Sequence, residues 1–137
     1  MNTDTTTKTD EKKAFSLPRG CTSPIDAQGF LVRCLNDPAF ALVLLDEFES
    51  SIAQRIDEIT LLSVSDDLQN MAEVAHSLKG AAAIVGAEEV RALATDIENA
   101  GRVEDPARLP HLIKNLRGEI QTCMNAIPHL RLQLQHM

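Results

Sequence analysis

The sequence of 137 residues contains no tryptophan and no tyrosine. It therefore lacks the usual stacking platforms for single-stranded nucleic acid or sugar rings. Basic side chains are also in deficit: 13 Lys and Arg stand against 20 Asp and Glu, a formal net charge of −7. That sign repels polyphosphate and anionic lipid, so neither nucleic acid nor a membrane is expected as a partner. Long apolar runs are missing too. The longest, Ala39–Leu45, is far too short to span a bilayer. The opening stretch MNTDTTTKTDEKKAF has no apolar core of a secretory signal. The 3 cysteines, Cys21, Cys34 and Cys123, form neither a CxxC pair nor a zinc spacing. They read as reduced thiols, and a cytoplasmic location is expected. Cys123 falls on an apolar helical stripe and is expected to be packed.

What is present is helical punctuation. Residues 1–20 are rich in Thr, Lys and Asp without apolar periodicity, and are expected to form a disordered arm. A single domain is expected over 21–137. Ser23-Pro24-Ile25-Asp26 reads as a helix start, with Ser23 as cap and Pro24 in the first turn, leading to a short helix ending near Leu35. Asp37-Pro38 opens a long helix to about residue 62, with Leu45, Phe48, Ile52, Ile56, Ile59 and Leu62 spaced three or four apart. Asp66, followed by Gln69, reads as the cap of a helix over about 67–85, which Gly86 ends. A fourth helix is expected over 87–100, closed by Gly101. The last is expected to become regular near Pro110. It carries the seam Leu109, Leu112, Leu116, Ile120, Cys123 and Ile127, with Pro128 kinking or ending it. The tail HLRLQLQHM alternates apolar and polar residues and has no assigned structure. The sum is an all-α, up-and-down four-helix bundle with an additional short N-terminal helix. The apolar seams can be satisfied within one bundle, so a monomer is expected.

The chemistry concentrates in residues 68–87, LQNMAEVAHSLKGAAAIVGA. Leu68, Met71, Ala75, Leu78, Ala82 and Val85 form a core seam. At about 100° per residue, His76 stands roughly 130° from the centre of that seam, on the solvent flank. Its neighbours there are small: Ala72 a turn before, Gly80 a turn after, then Ala83 and Ala87. A helical glycine costs about 1 kcal/mol relative to alanine. At position 80 it removes bulk that would crowd the ring. Lys79, three residues on, can reach a group attached to the imidazole. Free imidazole, with a pKa near ~6.5, is mostly neutral at pH 7 and so nucleophilic. Nε2 stands clear of the backbone while Nδ1 is crowded by it, so Nε2 is the expected acceptor of a phosphoryl group. Lys79 would stabilise that group by a charge-assisted hydrogen bond.

The run Ala75-His76-Ser77-Leu78-Lys79-Gly80-Ala81-Ala82, followed by Gly86-Ala87, resembles the signature of bacterial histidine-containing phosphotransfer (HPt) domains. Ile97-Glu98 on the next helix resembles the family's second, weaker marker. The likeness covers about residues 24–127. It implies a four-helix bundle phosphorylated reversibly on His76, with Lys79 and Gly80 in support. It also implies response-regulator receiver domains and a hybrid sensor histidine kinase as partners. Magnesium and most of the catalysis would belong to the receiver, so no cofactor is expected on this chain. Family members often carry a small polar residue where this chain has Ile84. Ile84 either extends an apolar docking surface, together with Glu73 and Ala87, or packs on a neighbouring helix.

Blander readings stand beside these. Lys79 can be an ordinary snorkelling lysine, the alanines packing residues, and Glu98 only a helix-surface charge. Glu73-Val74-Ala75-His76 matches the Glu-x-x-His spacing of di-iron bundles. The second such motif is missing, so no metal site is expected. No Gly-rich nucleotide loop occurs, so the chain is expected to carry phosphate rather than phosphorylate itself. The alternative from another class is a non-phosphorylated helical adaptor that sequesters a receiver.

Overall fold

A computed structural model describes residues 23–137. The expected arm, the first residues of the assigned domain and Cys21 lie outside the described residues. Five α-helices follow in order: α1 (Ala27–Arg33), α2 (Pro38–Val64), α3 (Leu68–Val85), α4 (Glu88–Arg102) and α5 (Leu109–Gln135), the last preceded by a 3₁₀ turn, Pro106–Arg108. No strand occurs among the described residues. Helices α2 to α5 each pack on the next, α5 returns to α2, and α1 lies across α3 and α2. This is the expected bundle with its extra N-terminal helix. No single helix among the described residues is long and apolar enough to cross a membrane.

The seams read from the sequence line the core. Leu45, Phe48, Ile52, Ile56 and Ile59 of α2, and Met71, Ala75, Leu78, Ala82 and Val85 of α3, are buried. All six seam positions named on α5 are buried as well. Cys123 is packed among them, and its thiol is pushed up to about 11, first by burial and then by the Glu119 charge. Cys34 is likewise a buried free thiol.

Helix ends differ from expectation in instructive ways. The first cap is Asp26, which accepts from the Gly29 N–H at 3.1 Å, not Ser23. The Asp26 N–H donates to the Gly86 carbonyl at 2.9 Å, so α1 starts where it is tied to the end of α3. Asp67, not Asp66, caps α3. Asp66 has φ +61° and makes the left-handed turn after α2, a conformation aspartate tolerates. Gly86 ends α3 with φ +79°, as expected. Gly101 does not close α4. The helix runs on to Arg102, and Glu104 at φ +54° turns the chain instead. Gly101 serves closeness: a Cβ there would lie 2.9 Å from both the Leu68 carbonyl oxygen and Met71 Cε.

Helix α5 continues unbroken past Pro128 to Gln135. A proline inside a helix costs about 3 kcal/mol. Leu130 and Leu134 continue the buried seam beyond it, and burial of each such side chain returns roughly 1.5–3 kcal/mol. The tail is thus helical, its Leu130–Leu134 spacing outranking the apparent alternation. Gly118 lies on the solvent face with open space around it, and nothing in the structure requires glycine there.

Candidate phosphotransfer site

The close approach of α3 and α4 builds the site. His76 projects from α3 with 59% of its side chain exposed. Beneath it, Glu98 of α4 is 8% exposed, the one buried charged residue among the described residues. The His76 Nδ1 atom lies 3.0 Å from Glu98 Oε2, and Lys79 Nζ donates to Glu98 Oε1 at 2.8 Å. Burial pushes the Glu98 carboxyl up. Hydrogen bonds from Lys79 and His76, with their charges, outweigh it and hold the carboxyl below its ordinary range. Glu98 is therefore ionised at neutral pH. Its stabilising share is fully present above the ordinary carboxylate range and is lost as pH falls through the lowered value.

An ionised carboxylate only accepts hydrogen bonds. The 3.0 Å contact therefore places the neutral ring's proton on Nδ1, and Nε2 keeps its lone pair. Of the two sequence readings of Glu98, part of the Ile97-Glu98 marker or only a helix-surface charge, its burial removes the second. The missed signal was its spacing: Glu98 falls four residues after Ala94, on the edge of the buried α4 seam Val90, Ala94, Ile97, Gly101.

The family model described as "Hpt domain" matches residues 43–134. The chain belongs to the Hpt-domain family. Among solved structures, the fold is similar to the HPT domain of an Hpt sensor hybrid histidine kinase from Shewanella. The TM-score is 0.71 at 21% identity, over 81% of this chain and 96% of that one. The comparison with curated proteins found no match. Hpt domains are phosphotransfer carriers of phosphorelay signalling, which agrees with the exposed imidazole and the helical frame.

Around the ring of this Hpt domain, Gly80, Ala83 and Ile84 are exposed. A Cβ at Gly80 would meet nothing within 4 Å. The glycine therefore answers no internal packing demand. Gly80→Ala is expected to stabilise the fold by about 1 kcal/mol through helix propensity, measured by urea denaturation. Gly80→Leu is expected to fold equally well yet weaken binding of a receiver domain by its bulk. Unimpaired binding would remove the clearance role.

Two residues expected on this flank are elsewhere. Ala72 is fully buried, 3.2 Å from where a Gly101 Cβ would stand, so it packs α3 on α4 and clears no space for a partner. Ala87 is fully buried at the α3–α4 corner, where its N–H donates to the Ala82 carbonyl at 2.9 Å. It cannot belong to a docking surface. Glu73 is exposed, but its carboxylate accepts from Arg102 at 3.2 Å. Among the described residues, no group of three or more His, Cys, Asp and Glu side chains is placed to hold a metal ion.

Proposed function

We propose that His76 accepts a phosphoryl group from the aspartyl phosphate of a receiver domain and passes it to another receiver. The observation that carries this is an exposed imidazole whose Nδ1 lies 3.0 Å from the carboxylate of buried Glu98. In the forward step the Nε2 lone pair attacks phosphorus and an N–P bond forms. The P–O bond to the aspartate breaks, and the carboxylate leaves with the electron pair. No proton need leave the ring during the step. The imidazole becomes cationic as the bond forms, and its Nδ1–H bond to Glu98 strengthens as it becomes charge-assisted. Glu98 thus favours the transition state over the ground state. The return step reverses each movement.

Lys79 contributes twice in this reading. It holds Glu98 through Oε1, and its ammonium has further N–H donors for a phosphoryl oxygen. Lys79→Ala is expected to slow transfer about tenfold or more, since hydrogen bonds to charged groups contribute roughly 1.5–3 kcal/mol. Helicity should stay unchanged. An unaltered rate in a rapid-quench transfer assay would remove this role.

The partners in this reading are receiver domains and a hybrid sensor histidine kinase. Magnesium would be bound by the receiver. The deciding experiment mixes the protein with a receiver charged on its aspartate. Label should pass to the protein in an acid-labile, base-stable form and map to His76. Binding without label would sink the proposal and favour the adaptor reading.

A further inference from the structure

Arg102, the last residue of α4, was not singled out in the sequence. Its Nη2 donates to Glu98 Oε2 at 3.3 Å and to Glu73 Oε2 at 3.2 Å. The first of these oxygens is the one that meets His76 Nδ1. The second belongs to α3, three residues before His76, on the turn that carries the ring. We infer that Arg102 is a positioning residue for phosphoryl transfer, holding Glu98 so that its Oε2 fixes the Nδ1–H tautomer of His76.

Without Arg102, Glu98 would be held by cation only through Lys79 at Oε1. The carboxylate could then rotate about its last torsion, a broad and soft one. Arg102 pins the opposite oxygen. Its anchorage on Glu73 ties that oxygen to the backbone segment bearing the ring, not merely to α4. The brace thus spans the gap whose width sets the Nδ1–Oε2 distance. Its position in the last turn of α4 also suits a cation at the negative end of the helix dipole. Arg102 and Glu73 are partly exposed, at 40% and 66% of their side chains, so a modest effect is expected.

The inference rests on His76 being the phosphoryl acceptor, but its main readout does not need a partner. Imidazole nitrogen shifts report the tautomer directly in ¹⁵N-labelled protein, above the pH range where imidazole protonates. The full chain should show His76 with its proton on Nδ1. Arg102→Ala should move the shifts toward a mixture with the Nε2–H form and slow transfer about threefold to tenfold. Arg102→Lys should recover part of both. Glu73→Gln should shift both in the same direction, by less.

A wild-type tautomer in Arg102→Ala overturns the inference. Slowed transfer with an unchanged tautomer also overturns it, since Arg102 would then act on the phosphoryl group or the partner. If Arg102→Ala loses helicity, Glu73→Gln decides, and unaltered shifts there overturn the positioning role. Absence of label on the wild-type protein would instead defeat the acceptor assignment and leave the tautomer result standing.

Discussion

His76→Gln is expected to abolish phosphoryl transfer, lowering labelling at least about a thousandfold while leaving the bundle intact. The nucleophile would be gone, because an amide nitrogen shares its lone pair with the carbonyl. The glutamine NH₂ can still donate toward Glu98, so the buried carboxylate need not be stranded. The side chain at 76 is 59% exposed, and surface changes of this kind usually stay within about 0.5 kcal/mol. The variant therefore separates chemistry from folding. Circular dichroism and urea denaturation should match the wild type, and label from a charged receiver should vanish. Label that persists would move the acceptor elsewhere. His111, His129 and His136 are the histidines to test, of which His136 has Nδ1 2.8 Å from the Leu132 carbonyl oxygen.

The largest effect on stability is expected at Gly101. Gly101→Leu would force its side chain against the Leu68 carbonyl oxygen and Met71 Cε, each 2.9 Å from the Cβ position, and against Ala72 Cβ at 3.2 Å. Met71 can move, but a backbone carbonyl can do so only by shifting its helix. Overpacking a well-filled core costs typically 1–3 kcal/mol, occasionally more, and a backbone obstruction belongs at the upper end. A loss of about 3 kcal/mol is expected by urea denaturation, with transfer also slowed because α4 carries Glu98. A variant as stable as the wild type, with unaltered transfer, would show that α3 and α4 can separate without consequence. The contrast with Gly80 is direct. Both glycines are helical, yet Gly80 has empty space where Gly101 has neighbours.

That contrast also explains what could be read without coordinates. Buried residues recur at three and four, so the seams of α2, α3 and α5 were legible, and with them the flank bearing His76. Gly86 was legible because a left-handed residue after an apolar seam has few alternatives. Gly101 was not, because the same residue type can end a helix or let two helices touch. Only the neighbour decides. Ala72 failed similarly, because α3 buries a second edge against α4 and widens its covered face beyond the seam, and Ala87 failed because α3 ends at Val85 and leaves it in the buried corner before α4. Glu98 was half visible. Its place beside Ile97 marked it as part of a pattern, but its burial and its contact with His76 depend on tertiary packing. The sequence left Pro128 open between a kink and an end, and the tail unassigned, because whether burial of Leu130 and Leu134 outweighs the local penalty depends on the helices they pack against.

The wiring of His76 has a consequence for how such a protein can change over time. The groups wired to the ring are Glu98 and Arg102 of α4 with Lys79 and Glu73 of α3, whereas Gly80, Ala83 and Ile84 are exposed on α3 and make none of these contacts. Under the proposed function, substitutions at the outer positions are expected to alter which receiver is preferred without touching the acceptor's chemistry or the core. Partner choice and reactivity would then be separable traits. After gene duplication, one copy can acquire a new circuit while retaining the same chemical step.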